Sequence, residues 1–234
     1  MLKSKIVTTK ALWALMVFTA SLFSFEECLA QNKDELEIMR KVSALPWISG
    51  PNEGVISGKA TVKFGADFQF LGTSGTRQFL ELNGNLPNDR SFTLAKKDLG
   101  WFAIFGFDES GYIKDDEKID ADVLLEQLKK NNVASDEERK KRGLRRLSLE
   151  GWFIPPRYDT ATKHLEWGTR LRSEDQQTIV NFTTRLLGRT GVMSAILVSD
   201  PQSLEQDVVE FKSALRGFDY NAGEKYAEYK QGDK

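Results

Sequence analysis

Three groups of residues in this sequence could carry chemistry. The first is the acidic segment Asp108 to Lys118, D-E-S-G-Y-I-K-D-D-E-K. Counted as a calcium loop from Asp108, it needs glycine at the sixth position and has Ile113 there. Asp115, Asp116 and Glu117 have the composition of a hard-cation site, but the dipole of a following helix explains an acidic turn equally well. No metal is expected. The second group is His164, the one histidine of the chain. A zinc site needs several nitrogen or sulfur ligands, and a triad needs partners that this sequence does not single out. His164 is therefore expected as an exposed residue on the polar face of a strand. The third group joins aromatic and arginine side chains between Trp152 and Arg189. Trp and Arg are enriched in binding hot spots, so Trp152, Tyr158, Asp159, Arg185 and Arg189 are the candidate binding residues. No catalytic residue and no cofactor is assigned. The run Arg139 to Arg146, R-K-K-R-G-L-R-R, is read as a solvated helix end, partly neutralised by Asp136, Glu137 and Glu138.

Those candidates sit on elements with legible periods. From Leu147 to Val198 four short pieces rich in β-branched and aromatic residues are separated by turn chemistry, which predicts an antiparallel meander over 145–198. In the second piece Leu165, Trp167, Thr169 and Leu171 share one face, and His164, Glu166, Gly168 and Arg170 the other, as in a half-buried strand. Pro155, Pro156 and Asp159 are expected to break the chain before it. Upstream, strands are expected near 55–57, 60–64, 68–71, 91–95 and 100–107, the last covered on both faces, with a short helix from Thr73 or Ser74 to Asn83. Helices near 120–142 and 201–216 are expected to pack the sheet. The first is read as two segments, with Ile119, Val123, Leu124 and Leu128 inward; the second is capped by Asp200 with Pro201 at its first position. Strands grouped with strands indicate an α+β fold.

Composition bounds location and partners. Lys3, Lys5 and Lys10, an apolar run from Ala11 to Phe25, and Cys28-Leu29-Ala30 read as a signal peptide over 1–30, so the chain is expected to be exported. Of 33 basic and 34 acidic residues, three Lys and two Glu fall in that stretch, leaving 30 against 32 and a net charge of about −2. Such a balance argues against a nucleic-acid partner. The sole cysteine, Cys28, leaves with the signal, so an apolar core alone must hold the fold. The remainder divides into a lead-in over 31–53, one α+β domain over 54–217 and a polar, aromatic tail over 218–234.

Seven blocks in this order resemble a bacterial family catalogued as domain of unknown function 2167. They are G-V-I-S-G-K-A-T-V (54–62), N-G-N-L-P (83–87), G-Y-I-K-D-D-E (111–117), G-W-F-I-P-P-R-Y-D (151–159), L-E-W-G (165–168), L-L-G-R-T-G-V (186–192) and G-E-K-Y-A-E-Y (223–229). The resemblance implies an extracytoplasmic domain and a hydrophobic C-terminal anchor. The sequence ends at Gly232-Asp233-Lys234 without such a stretch, and it is read as cut before the anchor. The family brings no activity and no catalytic residues. The expected function is a membrane-associated binding or scaffolding module of the cell envelope, with an envelope protein, lipid or glycan as partner. The alternatives are a carboxylate-dependent hydrolase of envelope polymers using Asp115, Asp116 or Asp159, and a small-ligand or lipid carrier.

Overall fold

A computed structural model describes residues 36–115, 119–159, 162 and 164–233; the expected signal peptide lies outside them. Contacts divide the chain at Lys41. Of the first unit, residues 36–41 are helical and carry a Glu37–Lys41 ion pair. The second, Val42–Lys234, is an α+β unit built on two antiparallel sheets.

Its first part alternates short strands: β1 (Ile48–Ser49), β2 (Asn52–Ile56), β3 (Ala60–Phe64) and β4 (Phe68–Leu71), then helix α1 (Thr73–Leu82), β5 (Ser91–Lys96) and β6 (Phe102–Asp108). Helix α2 (Ala121–Lys141) leads into the expected meander, β7 (Leu147–Asp159), β8 (His164–Ser173), β9 (Thr178–Leu187) and β10 (Val192–Ser199). Helix α3 (Leu204–Leu215) and β11 (Phe218–Tyr220) follow. One eight-stranded sheet has the order β1-β4-β5-β6-β10-β9-β8-β7, and a three-stranded sheet has the order β11-β3-β2. The main core lies between them. Phe70, Phe105, Phe182 and Leu197 from the large sheet meet Ile56, Val62 and Phe64 from the small one, and Phe211 of α3 fills the space beside them. Phe211 stands edge-on to both Trp101 and Phe182. A second cluster, Val42, Leu45, Leu71 and Phe79, puts α1 on the opposite face of the sheet. Among the described residues no helix is long and apolar enough to cross a membrane.

Three local readings change. Pro155 and Pro156 do not end a strand: β7 runs through them as the sheet's edge, with register shifts around Ile154. An edge strand tolerates proline because its outward N–H groups have no ladder partner to lose. The two expected helical segments form the single α2, capped by Asp120, whose carboxylate accepts from Asp122 N and Val123 N at 3.0 and 3.1 Å. Its expected inward stripe is not buried, and Val123 is 65% exposed. Polar bonds hold α2 to the edge instead. The Asn132 side chain donates to the Leu147 carbonyl and accepts from Leu149 N, both at 2.9 Å, and Asp136 accepts from Leu147 N at 3.2 Å. These bonds occupy edge groups that would otherwise pair with another strand. Finally, α3 begins at Leu204 rather than 201. Asp200 and Pro201 form a preceding turn, and Ser199 and Ser203 both donate to the Asp207 carboxylate, at 2.6 and 2.8 Å.

Candidate functional site

Strand pairing decides which side chains can meet. His164 pairs with Asp159 of β7, and Glu166 pairs with Arg157 of β7 and Thr184 of β9. Alternation places all of these on the face that carries Phe182, towards α3 and the small sheet. The polar face expected of β8 is thus covered as well as its apolar face. Glu166 is 1% exposed.

A buried carboxylate needs compensation. Lys212 of α3 supplies most of it, with Nζ at 2.6 Å from Glu166 Oε2, while Arg157 donates to the same oxygen through Nη2 at 3.2 Å and Nε at 3.4 Å. The Lys212 ammonium also lies 5.8 Å from the centre of the Phe182 ring. Opposite Glu166, the Thr184 hydroxyl is buried and has no hydrogen-bond partner among the described residues. Burial pushes the His164 imidazole below its ordinary range, against the pull of the Glu166 and Asp159 carboxylates. The ring is therefore neutral at pH 7, with one nitrogen to donate and one to accept.

Beside His164 opens a cleft of about 230 Å³, lined by Thr162, His164, Leu186, Leu187, Leu215, Phe218, Asp219, Tyr220 and Tyr226. Its apolar wall is fixed from below by Tyr220, whose buried hydroxyl accepts from Met193 N at 2.9 Å and donates to the Leu186 carbonyl at 2.8 Å. Burial raises the Tyr220 hydroxyl well above the usual phenol range, as it does for Tyr226, where Tyr112 adds to the effect. Both stay protonated at neutral pH. A larger cleft of about 470 Å³ runs along Asp136, Arg146, Glu150 and Arg172, but its charges answer one another as Arg146–Asp136 and Arg172–Glu150 pairs. At the His164 cleft a neutral imidazole and aromatic walls converge beside one carboxylate, Asp219, which Lys225 answers at 2.7 Å from outside the lining.

The family model described as "Protein of unknown function (DUF2167)" matches residues 50–234. The chain belongs to the DUF2167 family. No curated protein matches it. The DUF2167 chain is similar in fold to the solution structure of cyanobacterial PsbP (CyanoP) from Synechocystis sp. PCC 6803. Identity is 9% and the TM-score 0.42, over 73% of this chain and 92% of that one.

In the DUF2167 domain the five binding candidates do not form one site. Asp159 faces the cleft side, opposite His164, and accepts from Thr162 N at 3.3 Å. Tyr158 and Arg185 flank Leu165 on the other face, where Arg185 donates to Ser194 Oγ at 2.7 Å and pairs with Asp108 at 3.5 Å. Trp152 is on that face too, with its Nε1 buried and without a hydrogen-bond partner among the described residues. Arg189 belongs to neither face. It grips Asp233 through two bonds of 2.6 and 2.8 Å. Of the hydrolase candidates, Asp116 lies outside the described residues, and neither Asp115 nor Asp159 lines the cleft. Sequence reasoning did not find Glu166, Lys212, Thr184 or Tyr226. The available signal was a glutamate inside an aromatic strand core, L-E-W, matched by a lysine directly after Phe211 on an amphipathic helix.

Proposed function

We propose that this domain is an extracytoplasmic, membrane-associated binding module of the bacterial envelope that takes a small ligand in the cleft at His164. The observation that carries the reading is the convergence on one concavity of His164 from β8, Leu186 from β9, Leu215 from α3, Phe218 from β11 and Tyr226 beyond it. Sites of this kind pair mostly apolar walls with a few convergent polar groups and a perturbed titratable residue. The volume lies below the roughly 300–1,000 Å³ usual for drug-sized ligands, so the occupant is small and part apolar, with hydrogen-bonding groups for the imidazole and Asp219. The location rests on the export signal read over 1–30 and on the family resemblance.

The test is an amide NMR titration with N-acetylglucosamine, D-alanine and glycerol 3-phosphate, standing for glycan, peptide and lipid-headgroup chemistry. One of them should move the signals of Leu187 and Phe218, and His164→Ala should abolish the response. If all three leave those signals in place at millimolar concentration, the reading fails. A second reading, a protein-docking edge, is favoured by Phe153 and Tyr158, both large and exposed on β7. Tyr158→Ala would then weaken capture of an envelope protein by crosslinking while leaving the NMR titration unchanged.

A further inference from the structure

Beyond β11 the chain turns back over the domain as residues 221–233, which include a 3₁₀ turn at Tyr226–Glu228. We infer that this segment is a releasable strap that controls access to the cleft at His164. The inference rests on the binding reading above for its purpose, but not for its mechanics.

Three fastenings hold the strap. At the β9–β10 turn, Arg189 grips both carboxylate oxygens of Asp233 and donates to the Gly223 carbonyl at 3.2 Å, while Thr190 donates to Glu224 at 2.8 Å. At the β2–β3 turn, Lys59 pairs with Glu224 at 2.8 Å. At the acidic loop, Tyr112 stacks on Tyr229 with ring centres 3.7 Å apart and on Tyr226 at 4.9 Å. The Tyr226 hydroxyl accepts from Asp115 N at 3.0 Å. Tyr226 is therefore a fastened residue and a wall of the cleft at once.

What makes the strap releasable is the kind of contact. None of residues 221–233 is buried. Backbone bonds add to the fastenings, from Arg189 N to the Glu224 carbonyl and from Asn221 N to the Lys59 carbonyl, both at 2.9 Å. Even so, a segment held by partly exposed ion pairs, one ring stack and these few bonds, with no side chain in the core, opens at a fraction of the global stability. Under it, the cleft floor of Leu186, Leu215 and Tyr220 belongs to the main core and stays when the strap leaves. Opening moves Tyr226 away from His164 while the floor keeps its shape.

Two readouts on the intact chain test this without any ligand. Hydrogen exchange follows the amides of 221–233 against those of β9 and β10. Diethyl pyrocarbonate, read at the imidazole absorbance, reports access to His164, the chain's one histidine. Arg189→Gln and, separately, Tyr112→Ala should each speed exchange in the strap and modification of His164 by roughly tenfold, from the loss of one charge-assisted pair in the first and of the ring stack in the second. Exchange in β9 and β10 should hold within twofold. An unchanged His164 rate in both variants overturns the proposal, and so does equal acceleration in β9 and β10, which would mean that the whole domain had loosened. If the strap opens as expected but none of the three NMR probes binds, the ligand reading fails and the strap stands.

Discussion

The Glu166–Lys212 pair offers the sharpest check on the packing. Replacing Lys212 by Met keeps the aliphatic stem beside Phe182 but removes the charge 2.6 Å from Glu166. Losing one partner of a buried pair costs about 3–5 kcal/mol, because the other charge is left uncompensated. The low end applies here, since Arg157 still donates to Glu166 at 3.2 Å. Loss of the ammonium–ring contact adds about 0.5–1 kcal/mol. We therefore expect about 3–4 kcal/mol of destabilisation, or a melting temperature lower by roughly 6–16 °C for a chain of this length.

The reverse substitution should be milder. In Glu166→Gln the Lys212 side chain, already one-third exposed, can turn its ammonium to water along its own stem. That change should cost about 1–2 kcal/mol. The double variant should recover part of the Lys212→Met loss, with a coupling of about 1 kcal/mol or more between the two sites. Urea unfolding followed by tryptophan fluorescence measures all three, and an unchanged m-value confirms that the same surface is being exposed. The reasoning is refuted if Lys212→Met is no worse than Glu166→Gln, because the asymmetry follows only from a carboxylate that cannot reach solvent beside a lysine that can.

Three further outcomes follow from the same geometry. Tyr220→Phe leaves Met193 N and the Leu186 carbonyl without their shared hydroxyl and should cost about 1–3 kcal/mol by urea unfolding. Gly217→Ala would drive its Cβ into the Lys63 carbonyl, on a residue whose own N–H is held by the Gly217 carbonyl at 2.9 Å, so a loss of about 3 kcal/mol or more in the same assay is expected. His164 has a folded-state pKa below its unfolded value of about 6.5, so on acidification the unfolded chain takes the proton first. Its effect on stability is absent above that value and grows as a loss as pH falls from about 6.5 through the folded-state pKa; His164→Gln should flatten that part of a melting-temperature profile.

How much of this was legible depends on how far each signal reaches along the chain. The meander was readable because period-two alternation and turn residues are local. Strand β7 was misjudged at Pro155 and Pro156 because proline is excluded from central strands and accepted at edges, and edge position is a property of the whole sheet. The break expected in α2 near Asn132 is bridged because that side chain bonds to β7, fifteen and seventeen residues away. Alternation divided β8 correctly into two faces, yet it carried no information on what covers the second one. Glu166 is answered by Lys212 from 46 residues downstream, and Arg189 by Asp233 from 44. Neither distance leaves a trace in local composition.

The placement of these groups separates two ways of perturbing the molecule. Glu166 lies one alternation along β8 from His164, so it belongs to the core that α3 closes and also adjoins the cleft. Substitutions there must change stability and the cleft together. Arg189, Tyr112 and Asp233 touch the cleft only through Tyr226 and the strap, so substitutions there change access with little effect on the core. The fold thus puts the buried Glu166 carboxylate on the rigid side of the cleft and the partly exposed ion pairs of the strap on the movable side. That is the arrangement physical chemistry favours, because a buried pair resists separation whereas an exposed pair exchanges readily with water and salt. Raising ionic strength should therefore speed strap exchange while leaving the Lys212→Met deficit unchanged, and a deficit that fell in step with strap opening would show that the two sides are one cooperative unit.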